Sequence, residues 1–278
     1  MNLFAINAQP SRAVTWILSW TLFLVGIGLY FWTAQQRHRE NPEDRVVPTL
    51  AQMGQGLHDA AFGADEEAGQ ELLAQRFVHS MLWQDTLASA KRFGWAMLLL
   101  IPAVLLGLHI GMFPYMGVFF LRFILFFDKI IALSVLPILF IAFGIDELSK
   151  VMLIVIGVTP TIILDSFNLS RSVPKEQVVK SFTLGAGNFT VAYRVVLAQI
   201  MPRILNSIRL NLKAVMLFLF AGEMIAASDG LAYRIALLRR NMGMSTIIPY
   251  VLWVALLLFL VDAGMRLLNR RLHPWFVE

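Results

Sequence analysis

Long apolar runs separated by shorter polar stretches set the pattern of this chain. The predicted spans are residues 14–32, 93–112, a longer one within 116–143, 151–164 or slightly beyond, 208–227 and 247–268. A helix rises about 1.5 Å per residue, so about 20 apolar residues cross a hydrocarbon core of about 30 Å. The pattern therefore predicts an all-α integral membrane protein with about six transmembrane helices.

The first apolar run begins behind Arg12 and ends in an aromatic cluster, Tyr30, Phe31 and Trp32. Aromatic side chains are enriched where lipid meets water, so this cluster is typical of the end of a span. A cleaved signal peptide is the alternative, but the run is longer than the apolar region of such a peptide and a poor cleavage site follows it. We expect a retained span.

The only sizeable polar stretch, residues 34–92, separates the first two spans. It carries nine acidic and six basic side chains, and this net acidic balance permits a location outside the cytoplasm. Part of the stretch is predicted to be an amphipathic helix that lies along the membrane. A solvated linker is the alternative.

The distribution of basic residues among the connections predicts which side of the membrane each connection faces. Residues 171–203 contain five bases and one acid, and the C-terminal tail adds Arg266, Arg270 and Arg271. Because cytoplasmic connections are enriched in Lys and Arg, both segments are predicted inside, together with the N-terminus. One connection disagrees, since the stretch after Ala227 has three arginines against one acid and is predicted outside.

Composition narrows the class of protein. With 58% hydrophobic residues, 15% charged residues and a mean hydropathy of +0.68, the chain is too apolar for a soluble domain. Bases at span ends account for the net charge of +5, so nucleic-acid binding is not expected. The chain has no cysteine and its five histidines lack ligand spacing, so neither a catalytic thiolate nor a metal site is predicted.

A glycine turn interrupts the apolar pattern in SFTLGAGNFTVAYRVVLAQIMP, residues 181–202. Gly185-Ala186-Gly187 should end a short helix after Leu184, and Asn188 is predicted to cap a second helix. In that second helix Phe189, Tyr193, Val196 and Ile200 recur at 4-3-4 spacing and should form one apolar stripe. The prediction is a short helix, a glycine turn and an amphipathic helix that faces the cytoplasm.

These residues resemble the cytoplasmic loop signature of bacterial ATP-binding-cassette importer permeases. In LGAGNFTVAYRVVL, followed by MPRILNSIRLNL, Gly185 matches the glycine of that signature and residues 195–197 match its hydrophobic end. Residues 179–181 stand where the family has Glu-Ala-Ala, and Ala198 stands where it has proline. The stretches ALSVLPILFIAFGIDELSKVMLIVIG, RSVPKE and AGEMIAASDGLAYRI are similar, in the same order, to the nitrate/sulfonate/taurine subgroup of these permeases.

The resemblance implies a type I importer permease fold whose cytoplasmic coupling helix fits a cleft on a separate ATPase subunit. The residues implied in that contact are Lys180, Ser181, Leu184, Gly185, Ala186, Gly187, Phe189 and Tyr193. This chain has no Gly-Lys dipeptide and therefore no P-loop, so it is not expected to be an enzyme or to hold a cofactor. ATP would be bound by the partner subunit.

The other implied partners are a second permease subunit, identical or homologous, a periplasmic solute-binding protein and membrane lipid. The implied location is the inner membrane of a bacterial cell, and the implied solute is a small organic or inorganic anion. The chain would then divide into an N-terminal cytoplasmic tip with the first span (1–33), a polar periplasmic segment (34–92), a five-helix permease core with a coupling loop at about 166–204 (93–271) and a cytoplasmic tail (272–278).

Ionisable residues inside spans are costly unless they are paired or face water, so each is a functional candidate. Glu223 lies deepest in its apolar run and is the first candidate for a pathway or gate residue, with Lys213 and Arg209 on the same span. Asp128, Lys129 and Asp262 are further charges of this kind. Structural pairing or snorkelling is the alternative interpretation. Relatives tend to carry prolines where this chain has Phe-Asp-Lys-Ile, so a break in the third span stays open.

Two other classes of function are alternatives at this point. A transporter driven by an ion gradient would usually show two repeated halves, and this sequence shows no such repeat. An intramembrane enzyme would need a nucleophile or a metal constellation, and the sequence has neither H-E-x-x-H nor G-x-S-x-G.

Overall fold

The computed structural model describes residues 11–41, 46–63, 80–240 and 243–276, and every regular element in these ranges is a helix. The helices are α1 (Arg12–Glu40), α2 (Leu50–Phe62), α3 (Met81–Leu99), α4 (Ile101–Met112), α5 (Pro114–Phe127), α6 (Ala132–Phe143), α7 (Glu147–Arg171), α8 (Lys175–Thr183), α9 (Asn188–Leu210), α10 (Leu212–Ala226), α11 (Leu231–Arg240) and α12 (Met244–Leu272). The prediction of an all-α protein is confirmed for this part of the chain.

Four helical stretches are each long and apolar enough to cross a membrane: α1, the joined pair α3–α4, α7 and α12. Two further pairs, α5–α6 and α9–α10, are long and apolar enough only when the two helices of each pair are taken together, and both pairs are bent. The number of spans is therefore four, or up to six if each bent pair counts as one span. The upper figure agrees with the six apolar runs of the sequence.

The third predicted span, within residues 116–143, is not one long helix. It consists of α5 and α6, which meet at an angle of 97° across residues 128–131. Hydrophobicity could not reveal this bend, because both arms are strongly apolar and the Asp128-Lys129 pair is the only polar sequence between them. The sequence left a break in the third span open, and the structure shows one, in the form of a broken span or a re-entrant loop.

Two other predicted spans have different bounds from those expected. The second begins at Met81 rather than near residue 93, because the Ser80 side chain caps α3 by accepting a hydrogen bond from the Trp83 amide at 3.3 Å. The fifth bends by 40° at Asn211, between α9 and α10. There the Asn211 side-chain amide donates to the Ser207 carbonyl at 3.0 Å.

The polar stretch after the first span contains the expected helix, α2. Thr49 and Gln52 form a reciprocal capping box at its start. Gly56 brings this helix against the start of α12, where an added Cβ atom would lie 2.8 Å from the Ser245 carbonyl oxygen. Hence α2 is a packed part of the bundle rather than a free linker, while its orientation relative to a membrane stays a prediction.

Helix α7 is the centre of the bundle and contacts α3, α4, α5, α6, α9 and α10. Its closest neighbour is α4, which approaches through Gly107 and Gly111. A Cβ atom on Gly107 would lie 2.4 Å from the Ile163 carbonyl oxygen, and one on Gly111 would lie 1.8 Å from the Ser170 hydroxyl oxygen. Small residues thus set the distance between these two helices, as expected for packing inside a membrane.

We expect Gly107→Leu to destabilise the protein by about 1–3 kcal/mol or more, because the new side chain meets main-chain atoms that cannot move aside. The thermal unfolding midpoint in detergent measures this effect. Gly94→Leu is the matched control, since Gly94 lies on the same joined span with no atom within 4 Å of an added Cβ. Equal midpoints for the two variants would contradict the proposed packing.

Candidate functional site

The first candidate site is the glycine-turn segment, residues 175–193, which consists of α8, the turn after it and the first residues of α9. Gly185 has φ +85°, a conformation that favours glycine, and it follows directly after the C-terminal cap residue Leu184. The Gly185 amide donates to the Phe182 carbonyl at 2.9 Å and the Ala186 amide donates to the Ser181 carbonyl at 3.1 Å. This pair of bonds is a Schellman motif, so the predicted helix end at Leu184 and the glycine turn are confirmed.

Side-chain contacts fix the glycine-turn segment to the end of the bundle. The Tyr193 hydroxyl lies 3.1 Å from Nε2 of His109 on α4, and the ring centroid of Phe189 lies 5.5 Å from that of Phe113. The Gln199 side-chain amide also donates to the side-chain oxygen of Gln177 at 2.5 Å, which ties α9 back to α8. The turn is therefore held by contacts on both of its arms.

The same segment presents apolar side chains to its surroundings. Leu184, at the tip of the turn, is 80% exposed. The other exposed apolar residues of the segment are Val179, Phe182, Phe189 and Tyr193. The residues implied in partner contact lie together here: Lys180 and Gly187 are exposed, while Ser181 and Ala186 are half-buried. Exposed leucine and aromatic side chains at the tip of a fixed turn are typical of a surface that another molecule covers.

Two details of the second helix differ from the prediction. Gly187 occupies the N-cap position, and Asn188 is already the first helical residue and makes no side-chain cap bond. The four residues of the expected stripe do not share one buried face: Val196 and Ile200 are buried, whereas Phe189 and Tyr193 are exposed. The reason is a π-helical stretch, Val191–Leu197, in which each turn holds more residues than an α turn and shifts the faces out of phase.

The second candidate site is a buried ion cluster around Arg92 on α3, whose side chain is only 3% exposed. Its Nε and Nη2 atoms donate to the two carboxylate oxygens of Glu147 at 2.5 and 2.8 Å. Nη1 donates to Glu223 at 2.8 Å, and Nη2 also pairs with Asp229. One guanidinium therefore joins the start of α7, the end of α10 and the loop before α11.

Further bonds fasten the loop before α11 to this ion cluster. Glu223, which is fully buried, accepts hydrogen bonds from the Ser89 hydroxyl at 2.7 Å and from the Ala232 amide at 3.0 Å. Gly230 has φ +116°, and a Cβ atom there would lie 2.6 Å from Nη1 of Arg92. The loop can approach the guanidinium only because this residue is glycine.

A second ion pair lies beside the cluster and connects α3 to α11. Arg234 Nε donates to Asp85 at 2.8 Å, and the other oxygen of Asp85 accepts from the Gly230 amide at 3.0 Å. Burial alone would lower the pKa of Arg234, but the bond to Asp85 raises that pKa and the net direction is upward. The guanidinium therefore keeps its charge, and the arginine-rich stretch after Ala227 is partly used for internal pairing.

The three predicted pathway candidates are not brought together. Glu223 belongs to the ion cluster, Lys213 is exposed, and Arg209 bonds the Asn206 side chain and lies 3.8 Å from Asp262. A cavity of about 460 Å³ adjoins the cluster and is lined by Ile145, Asp146, Glu147, Lys150, Ala226, Ala227 and Ser228. A pathway or gate role for Glu223, Lys213 and Arg209 stays a prediction.

Sequence reasoning missed Arg92, because this residue was assigned to the polar stretch before the second span. A signal existed, since Asp85, Ser89 and Arg92 recur at 4-3 spacing and place three polar side chains on one helical face. Arg122 on α5 was missed as well. It lines a second cavity, of about 380 Å³, with Arg171 and mostly apolar neighbours.

The helical bundle and its long apolar helices define a protein embedded in a membrane. A family model described as binding-protein-dependent transport system inner membrane component matches residues 94–274, and the chain belongs to this family. It is an ATP-binding-cassette importer permease of the nitrate/sulfonate/taurine type.

Named relatives support this assignment. The taurine transport system permease protein TauC of Escherichia coli K12 is 30% identical over 208 residues, which cover 73% of this chain and 74% of that protein. The putative aliphatic sulfonates transport permease protein SsuC of Bacillus subtilis 168 is 30% identical over 143 residues, which cover 51% and 52% of the two chains. The family match includes both candidate sites except for Asp85, Ser89 and Arg92 on α3.

Proposed function

We propose that this chain forms the translocation pathway of an ATP-driven importer in the inner membrane of a bacterial cell. The names of its relatives support taurine or a sulfonate as the solute. Nitrate is a further candidate, as a small anion of the kind that the subgroup's resemblance implies. A periplasmic binding protein would deliver the solute, and a second permease subunit, identical or homologous, would complete the pathway. ATP hydrolysis takes place on a separate subunit in this proposal.

The observation that carries the proposal is the glycine-turn segment, in which exposed apolar side chains stand on a firmly held turn. A coupling element must offer a partner a contact surface and must also pass the partner's movement to the spans. Leu184 and Phe182 provide such a surface at the tip. The bonds between Tyr193 and His109 and between the two glutamines resist movement of the turn relative to α4 and α9.

The experiment tests whether this segment binds an ATPase. The permease is co-expressed with the ATPase of its transport system and purified through a tag on the permease. We expect Leu184→Glu to reduce the retained ATPase at least tenfold, because a charge replaces the most exposed apolar side chain of the turn. Leu50→Glu is the control, since Leu50 is also exposed and starts α2, outside the glycine-turn segment.

Equal retention of the ATPase by the two variants would contradict the docking surface. A second measurement compares solute uptake into liposomes with ATP and with a proton or sodium gradient. Uptake driven by a gradient in the absence of ATP would favour the secondary transporter over the importer.

A further inference from the structure

The position of the break between α5 and α6 along the neighbouring helix α7 places the break near the middle of the membrane. The Thr161 hydroxyl on α7 donates to Asp128 at the break at 3.4 Å. Thr161 follows Glu147 by 14 residues and precedes Arg171 by 10 residues. At about 1.5 Å per residue, the break lies about 21 Å from one end of α7 and about 15 Å from the other.

Lys129 projects from this break with 80% of its side chain exposed. Its ammonium group lies 3.1 Å from the Asp128 carboxylate, whose own side chain is mostly buried. The four-carbon stem of a lysine extends about 6 Å, which is too short to reach either end of α7 from this depth. Snorkelling therefore cannot bring the charge out of the membrane, and a lysine facing hydrocarbon at this depth would be strongly unfavourable.

The backbone of the break has the same requirement for polar surroundings. Lys129 and Ile130 donate to the Phe126 and Phe127 carbonyls at 3.2 and 3.0 Å. In the described part of the chain, no backbone amide donates to the carbonyls of residues 128–130. Non-helical backbone at membrane depth is tolerated where it is buried in protein or lines water. Lys129 is mostly uncovered in this chain, so water can satisfy both the carbonyls and the ammonium group.

We infer that the break between α5 and α6 lines a water-filled route through the membrane, and that Lys129 binds the anionic group of a small sulfonate or other oxyanion in that route. Asp128 is a positioning residue, because it is fixed by Thr161 and holds the ammonium group at the break. The contact with the solute rests on the importer function proposed above. The access of water to Lys129 does not rest on it.

Water access can be measured directly, because the chain has no cysteine. Lys129→Cys in the assembled transporter is treated in proteoliposomes with a charged, membrane-impermeant methanethiosulfonate reagent. Leu22→Cys is the matched control, since Leu22 is 83% exposed near the middle of the apolar run of α1. We expect Lys129→Cys to react at least tenfold faster than Leu22→Cys, and taurine or butanesulfonate to slow this reaction. Equal rates for the two thiols would overturn the water-filled route.

The contact with the solute is tested by uptake of taurine and of butanesulfonate. Lys129→Gln is expected to raise the KM for both at least tenfold, whereas Lys129→Arg, which keeps the charge, should restore most of the affinity. An unchanged KM in Lys129→Gln would overturn the solute contact. Failure of the wild-type complex to transport either probe with ATP would count against the proposed function instead, and the thiol reaction rates would still decide the route.

Discussion

Replacing Arg92 with methionine should prevent stable folding or assembly of the transporter. The substitution leaves Glu147, Glu223 and Asp229 without their shared cation, and Glu223 is fully buried. Removing one partner of a buried ion pair typically costs about 3–5 kcal/mol, because the remaining charge stays out of water. We expect a loss of monodisperse protein on size exclusion, or a large fall in the thermal unfolding midpoint of the fraction that folds.

The neighbouring residue supplies the control for this prediction. Lys91→Met removes the same charge from the same helix, but Lys91 is exposed, so its midpoint should stay close to that of the wild type. Adding Glu223→Gln to Arg92→Met should recover part of the loss, because the deepest uncompensated charge is then removed. If Arg92→Met and Lys91→Met unfold at the same temperature, the ion cluster does not stabilise the bundle.

Gly185→Val should leave the protein inserted in the membrane and folded, but it should uncouple ATP hydrolysis from transport. A branched side chain at φ +85° costs about 1–3 kcal/mol, and no atom lies within 4 Å of the added Cβ, so the cost falls on the turn alone. The turn places Leu184 and Phe182 on the surface that we propose for ATPase docking. We therefore expect weaker retention of the ATPase, or hydrolysis in liposomes that solute no longer stimulates.

Gly63→Val is a close control for the turn, because Gly63 also has a positive φ, +75°, and also lacks any atom within 4 Å of an added Cβ. Both variants thus place a branched side chain at a positive φ, at different places in the fold. Gly63 ends α2, so its substitution should leave retention of the ATPase and coupling unchanged. Loss of coupling in both variants, or in neither, would show that the position of Gly185 is not special.

The spans and the glycine turn could be predicted from the sequence because both depend on local properties. A helix that crosses a bilayer needs a long apolar run whatever its neighbours are, and the αL conformation after Leu184 needs glycine at residue 185. The same local signals could not decide whether the helix breaks at residues 128–131, where the structure shows a bend of 97° beside the contact of Asp128 with Thr161. Apolar residues on both sides made that bend invisible to hydropathy.

The ion cluster could not be predicted as a unit because its members are distant in sequence. Arg92 meets Glu147, Glu223 and Asp229 only after three helices and a loop have packed. Glu223 was recognised as unusual from its depth in an apolar run, but its partner was not. Local spacing identifies a polar face on one helix, whereas the opposite charges come from the tertiary structure.

The π-helical stretch, Val191–Leu197, gives the link between the exposed turn and its span a property that an unbroken α-helix lacks. Consecutive residues of an α-helix differ by about 100° around the axis, and those of a π-helix differ by less. If the π turns became α turns, the glycine turn would therefore rotate about the helix axis relative to the later part of α9. Such a conversion leaves the chain helical throughout. We therefore expect a push on the turn at Gly185 to reach the rest of α9 partly as a rotation about the helix axis, and not only as a tilt of the whole helix.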